Sequence, residues 1–436
     1  MKEYVLQELT NIEKIREFQR KLYDKAKTNP KYRFYTLYDK TYRTDILEEA
    51  YRKAKANGGA CGVDGETFED IETNGRAEYV AILQKELKEE RYKPKPVKRV
   101  YIPKANGKER PLGIPTVRDR IVQTAFLLVL EPVFEADFTE SSYGFRAKKS
   151  AHGAVREIYK YLNWGCEEIY DVDIEKYFDT VDHWKLIRLL AQRISDGQIL
   201  HVIKQWLSCG YIEDNQHRQS KQGTPQGGVI SPLLANVYLN PVDKAFERGG
   251  INNISKGSIH IVRYADDMII LAQKNLDKGI DLLEGYTKRL GLSINKEKTR
   301  RLNLKEDKKV EFLGFQFQRV ESRKTKSRLI LVYPSPSSQK RCKDKIRKLI
   351  SHSLPLKIGD QIRNVNKFLV GWTNYYRLGN SSKVLNQICH YVNKRVRHLI
   401  QRHKGRGGYG WGKITSKDLY ARLELFYNYK VQGLKP

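Results

Sequence analysis

The chain has 436 residues, 40% of them hydrophobic and 11% aromatic, which suits two or three folded units and excludes a disordered polymer. It carries 81 Lys and Arg against 51 Asp and Glu, and a formal charge of +30 points to a polyanionic partner, nucleic acid ahead of anionic membrane. No stretch is apolar enough to span a bilayer, no signal peptide precedes Glu3 and Glu8, and the five scattered cysteines form no Cys-x-x-Cys pair, so the expectation is a cytoplasmic bacterial protein without structural zinc or disulfides.

In chain order, residues 1–44 read as a charged helical extension. A helix is predicted over 45–60, ending at Gly58-Gly59, then a loop at 62–65 and an amphipathic helix over 78–91. Strands follow at 97–103 and 110–114, an apolar helix over 115–135 and another helix over 149–162. Residues 168–174 alternate, with Tyr170, Val172 and Ile174 on one face and Asp171 and Asp173 on the other. Asp182 is a good N-cap for a helix to about Arg193, and Ser231-Pro232 marks another start, with Ser at the cap. The apolar runs 259–262 and 268–271 read as a hairpin with Asp266 and Asp267 at its turn. A helix over 276–290 is closed by Gly291, strands return at 309–318 and 328–333, and the rest is mostly helical. Charge divides the chain near residue 320. Residues 321–436 hold 26 Lys and Arg against 5 Asp and Glu, a local balance of +21, interleaved with Trp372, Tyr375, Tyr376, Tyr391, Tyr409 and Trp411. Bases and aromatics together suit phosphate contact and base stacking.

The chemistry centres on Tyr264-Ala265-Asp266-Asp267. Two adjacent acids on rigid strands suit two-metal phosphoryl transfer, although a Tyr-x-Asp-Asp match alone is weak. Asp173 ends the alternating strand, and setting that strand beside the hairpin would bring a second acid to the first.

With these residues in view, the chain resembles a reverse transcriptase. Asp173-Ile174-Glu175-Lys176-Tyr177-Phe178-Asp179, Gln222-Gly223-Thr224-Pro225-Gln226-Gly227-Gly228 and Tyr264-Ala265-Asp266-Asp267 are similar to its successive palm motifs. Ile102-Pro103-Lys104 with Arg110–Pro115, Ser142-Tyr143-Gly144-Phe145-Arg146, the run Gly291–Thr299 and Phe312-Leu313-Gly314-Phe315 extend the match. Gly371-Trp372 through Tyr375-Tyr376-Arg377 resembles the maturase thumb of group II intron-encoded proteins. The resemblance covers about 45–400. It implies an α+β right-hand polymerase, with fingers over 45–165, a palm with an antiparallel sheet over 166–320, a helical thumb or maturase domain over 321–400 and a basic segment over 401–436.

The resemblance also implies roles. Asp173 and Asp266 become metal ligands, Ile174 is grouped with them, and Asp267 supports the catalytic site in a looser ligand role. The cofactor is Mg²⁺, two ions, with Mn²⁺ able to substitute. Lys104 and Arg110 would hold the triphosphate, Gln226 would contact the nucleotide, and Lys298 is the candidate acid for pyrophosphate. Phe178 is expected to be the aromatic gate against a 2′-hydroxyl, with Tyr177 as the alternative. Trp372, Tyr375, Tyr376, Arg377, Arg395, Arg397, Lys404 and Arg406 are the expected RNA and DNA contacts. Partners would be a group II intron RNA, an RNA template with a DNA or RNA primer, a DNA target and deoxynucleoside triphosphates, with no membrane. The expectation is a reverse transcriptase and maturase without an endonuclease, nucleoid-associated when acting on DNA. The rivals are a splicing-only maturase, a domesticated reverse transcriptase and, remotely, a two-metal nuclease.

Overall fold

The computed structural model of the chain describes residues 2–103, 107, 109–220, 222–247, 259–322 and 325–434, with side chains from residue 11 onward. Three sheets carry the strands. In the first, β1 (Val97–Pro103) pairs antiparallel with β2 (Glu109–Ile114). The central sheet begins with β3 (Glu168–Val172). β4 (Tyr211–Glu213) then joins β1 in parallel and folds back on β5 (Gln216–Arg218). The sequence reading missed this hairpin, whose turn residues Asp214 and Asn215 both take positive φ, 50° and 61°, as a type I′ turn requires.

β6 (Ile259–Tyr264), β7 (Asp267–Ala272) and β8 (Arg300–Asn303) complete the central sheet in the order β6-β7-β3-β8, antiparallel throughout. Both its faces are buried. Val172, Ile261, Met268 and Ile270 join a core that includes residues of helices Val117–Glu135, Ser231–Glu247 and Leu276–Leu290. Ile169, Val262, Ile269 and Leu271 join a second core, with helix Ala151–Asn163 and the C-terminal helices. Double burial explains why β7 reads as an unbroken apolar run. It also means that Asp171 lies on a covered face of β3 rather than a solvated one.

The third sheet corrects the single strand expected over 309–318. β9 (Lys309–Phe312) and β10 (Phe315–Glu321) are separate strands turned by Leu313 (φ 49°) and Gly314 (φ 77°), and β11 (Arg328–Pro334) pairs with β10. The charge step near residue 320 therefore falls inside a hairpin whose two strands share the second core. Three helices follow, Pro336–Leu349, Ile358–Tyr376 and Ser382–His403. No described helix is long and apolar enough to cross a membrane.

Most predicted helices form where capping residues allow. Asp182 accepts from Lys185 N at 2.8 Å and starts His183–Leu190, and Gly291 at φ 78° closes Leu276–Leu290. Ser231 is not a cap; it lies in the first helical turn, and its hydroxyl donates to the Pro225 carbonyl at 2.8 Å. Within 1–44 the described helices are Lys2–Thr28 and Tyr38–Thr41, and Thr44 begins the next helix, Thr44–Asn57.

Candidate active site

The register of the central sheet builds the site. β3 and β7 pair Val172 with Met268, so the next residues, Asp173 just past β3 and Asp267 at the start of β7, lie at the same end of the sheet. Asp266 lies next to Asp267 in the β6–β7 turn that Ala265 enters at φ 59°, near enough to Asp173 to feel its charge. Asp173 is fixed from three sides. Its N–H donates to Thr299 Oγ1 (3.2 Å), its carbonyl accepts from Asn295 N (2.8 Å), and its carboxylate pairs with Lys298 Nζ (3.1 Å). Ile174 is buried and bridges to Ile294, so only its main chain remains to serve a metal.

Electrostatics mark these acids as under-neutralised. Burial, then the charges of Asp266, Asp171 and Asp173, push the Asp267 carboxyl up to about 6, although Asp267 is the most exposed of the group; Arg110 opposes the shift. Asp171 is likewise raised to about 6 by burial, with Arg300 opposing and Asp173 adding to it. Asp266 is raised by burial and by Asp173, against Arg110 and Arg263. Asp171, Asp266 and Asp267 are thus all raised by burial and by one another's or Asp173's charge, with Arg110, Arg263 and Arg300 only partly opposing. Among the described residues no three His, Cys, Asp or Glu side chains form a ready metal cage, and Asp173 is engaged by Lys298. The donor set nevertheless fits a hard divalent cation, because all its donors are oxygens and they repel one another without one.

Of the residues expected around a nucleotide, Lys104 lies outside the described residues. Arg110, on β2, is close enough to lower the pKa of both Asp266 and Asp267. Phe178 and Gln226 line one cleft of about 330 Å³ with Arg99, Gly113 and Thr224. Tyr177 is fully committed elsewhere. It is buried, its hydroxyl donates to the Ala235 carbonyl at 2.6 Å, and its ring meets Phe178 edge-on at 5.2 Å. Of the two neighbouring aromatics, Phe178 is the one that lines the cleft, beside Trp206 and Tyr211. The loop Gln222–Gly228 is stitched to its neighbours by main chain: Thr224 N donates to Phe178 O (2.7 Å) and Gly113 N to Gln226 O (2.6 Å). A Cβ at Gly227 would lie 2.5 Å from Gly113 O, so this approach requires glycine.

The expected nucleic-acid contacts divide. Trp372 and Tyr376 are buried and Tyr375 is half-buried, which corrects their assignment as stacking platforms. Tyr376 donates to Ser338 Oγ (2.9 Å), Tyr375 donates to the Leu313 carbonyl (3.0 Å), and both pack on Phe315. These rings dock the C-terminal helices onto the third sheet. Arg397 is also buried, over the Trp411 ring at 4.7 Å, and Arg395 donates to the Ile350 carbonyl at 2.6 Å. Arg377, Lys404 and Arg406 are exposed, as is Trp411.

The sequence reading missed Arg263, Asp243 and Asn236, a buried group directly behind the turn. It also missed the facing pair Asp171 and Arg300 on β3 and β8. A charged residue inside the apolar run 259–264 was the available signal for Arg263.

Comparison with known proteins agrees with this geometry. Residues 102–317 match the family described as reverse transcriptase (RNA-dependent DNA polymerase), and residues 339–417 match the group II intron maturase-specific domain. The chain is 34% identical over 364 residues to Protein YkfC of Escherichia coli (strain K12), covering 74% of this chain and 94% of that protein. It is 38% identical over 214 residues to the group II intron-encoded protein LtrA of Lactococcus lactis subsp. cremoris, covering 48% of this chain and 35% of LtrA. A putative COX1/OXI3 intron 2 protein of Saccharomyces cerevisiae is 30% identical over 325 residues, 62% of this chain and 37% of that protein.

Proposed function

This chain belongs to the family of group II intron-encoded reverse transcriptases and maturases, and from that membership we propose that it extends a DNA or RNA primer on an RNA template with deoxynucleoside triphosphates. RNA-directed DNA polymerase and maturase are the functions of its family. The finer reading is a group II intron RNA held by the C-terminal helices, which aids splicing, with the copied DNA joined to a DNA target. The observation that carries the polymerase reading is the strand register that brings Asp173 to the same end of the sheet as Asp266 and Asp267 in and beside the β6–β7 turn.

Asp173 and Asp266, with the Ile174 main chain and Asp267 in support, would hold Mg²⁺, two ions, with Mn²⁺ as a substitute. Bound there, divalent cations would make the primer 3′-hydroxyl more acidic and offset charge on the triphosphate. The protein's own residues do the rest. Arg110, whose charge already reaches Asp266 and Asp267, would pair with triphosphate oxygens. Lys298 would leave Asp173 and give its proton to the departing pyrophosphate. The Phe178 ring would exclude a 2′-hydroxyl, and Gln226 would orient the nucleotide. The exposed Arg377, Lys404 and Arg406 would contact RNA phosphates. In this reading 45–165 act as fingers, 166–320 as palm and 321–400 as thumb.

Primer extension on an RNA template with Mg²⁺ and deoxynucleotides tests the proposal. Template-dependent DNA synthesis is expected; splicing assistance without synthesis would instead mark a splicing-only maturase.

A further inference from the structure

Arg263, one residue before the Tyr-Ala-Asp-Asp turn, forms an ion pair with Asp243 in which both side chains are 0% exposed. All five of its N–H groups are used. Nε donates to both Asp243 oxygens (2.8 and 3.0 Å), and Nη2 donates to Asp243 Oδ2 (2.5 Å) and Ser142 Oγ (2.7 Å). Nη1 donates to Asn236 Oδ1 (2.8 Å) and to the Ala265 carbonyl (2.9 Å). Asn236 passes the connection on, donating to the Gly144 carbonyl at 2.8 Å. Main-chain bonds close the ring: Tyr143 N donates to Arg263 O (2.8 Å) and Arg263 N to Ser141 O (2.9 Å). One guanidinium therefore joins helix Ser231–Glu247, the segment 141–144 and the catalytic turn.

Stability alone does not explain such a group. A well-packed apolar pair of the same volume is often as stabilising as a buried ion pair, because desolvation offsets the attraction. What a five-donor planar fork adds is direction. The direction needed here is visible at Ala265, a non-glycine residue at φ 59°, in the left-handed region that a Cβ disfavours. Its carbonyl is the one that Nη1 holds, and the next residue is Asp266. If Ala265 relaxed toward a right-handed conformation, the Asp266 carboxylate would swing away from Asp173.

We propose that Arg263 is a positioning residue for the polymerase: its buried fork holds Ala265 left-handed and so aims Asp266 at the cation site. The inference rests on the polymerase reading and goes beyond it in naming what sets the geometry of the acids.

The test uses the full chain with Arg263→Lys, Ala265→Gly and the double variant. Lysine keeps the charge opposite Asp243 but has three donors, too few for the network. Two readouts are taken: primer-extension kinetics across Mg²⁺ concentrations, and Mn²⁺ binding titrated by its paramagnetic resonance without nucleic acid. Arg263→Lys is expected to lower kcat about 100-fold, the scale of a roughly 1 Å misplacement. It should weaken Mn²⁺ binding about tenfold, while KM for deoxynucleotide stays within about threefold. In the Ala265→Gly background the same substitution should cost roughly five- to thirtyfold less, because glycine takes the left-handed region freely. If the lysine variant does not fold, Asn236→Ala, which spares the ion pair, should show a smaller loss with the same relief. Unchanged Mn²⁺ affinity in the lysine variant, or an equal loss in both Ala265 backgrounds, would overturn the proposal. A wild type that binds Mn²⁺ but makes no DNA would remove the polymerase reading, and the titration would still decide whether Arg263 positions the acids.

Discussion

Gly144→Ala tests how tightly the catalytic turn is held. Gly144 does not need glycine for its backbone angle; it needs it for space. A Cβ there would lie 2.3 Å from Ala265 N and 2.9 Å from the Tyr264 carbonyl carbon. Reaching an ordinary contact of 3.4 Å requires a shift of about 1.1 Å. The Gly144 side cannot absorb it easily, because Asn236 holds its carbonyl and Arg263 holds the preceding amide. Part of the shift must pass to Ala265 and thus to Asp266. A displacement near 1 Å at reacting groups costs about 10²-fold in rate, and overpacking costs about 1–3 kcal/mol in stability. Single-turnover primer extension at saturating deoxynucleotide, with a thermal melt alongside, separates the two effects. Gly285→Ala is the control: it lies in helix Leu276–Leu290, a Cβ there would meet nothing within 4 Å, and the rate should be unchanged. A Gly144→Ala enzyme that is folded and within about threefold of wild type would refute the reasoning.

Four further outcomes rest on the same geometry. Phe178→Ala should raise ribonucleotide incorporation, measured as the ratio of kcat/KM for ribo- and deoxynucleotides. Tyr177→Phe, which loses only the bond to Ala235, should leave that ratio alone and cost about 0.5–1.5 kcal/mol in stability. Trp372→Ala should destabilise the fold by about 3–5 kcal/mol, read by denaturant melt, since its ring packs against Tyr376 at 4.7 Å. Lys404→Gln and Arg406→Gln should leave the melt unchanged but lower the salt slope of RNA binding by about 0.7–0.9 each, because each removes one exposed positive charge that the proposal sets against a phosphate.

The candidate catalytic acids were legible because they sit at the ends of strongly patterned strands. The apolar runs on either side of Asp266 and Asp267 admit few arrangements other than a hairpin. The helix over 276–290 was equally plain, since glycine at 291 supplies the left-handed closure. The Leu313-Gly314 turn was harder: leucine at φ 49° is not a turn signal, and the only other cue was a change of phase, with apolar residues at 310 and 312 before the turn and at 315 and 317 after it. The aromatics of helix Ile358–Tyr376 were misread although their signal was present. Leu369, Trp372, Thr373 and Tyr376 recur at helical spacing, and all four are buried. Arg263 was lost for a different reason. One strand shows a charged residue, but its partners Asp243, Asn236 and Ser142 lie 20, 27 and 121 residues away, and only the tertiary fold brings them together.

The central claim is that the acids at the end of β3 and in the β6–β7 turn make this chain a polymerase. The most direct measurement is primer extension on an RNA template by wild type and Asp266→Ala, run beside an intron-splicing assay on the same two proteins. The account predicts DNA synthesis by the wild type, its loss by at least about 10³-fold in the variant, and splicing assistance retained by both. Equal synthesis by the two proteins would contradict the site, and no synthesis by either would contradict the polymerase itself.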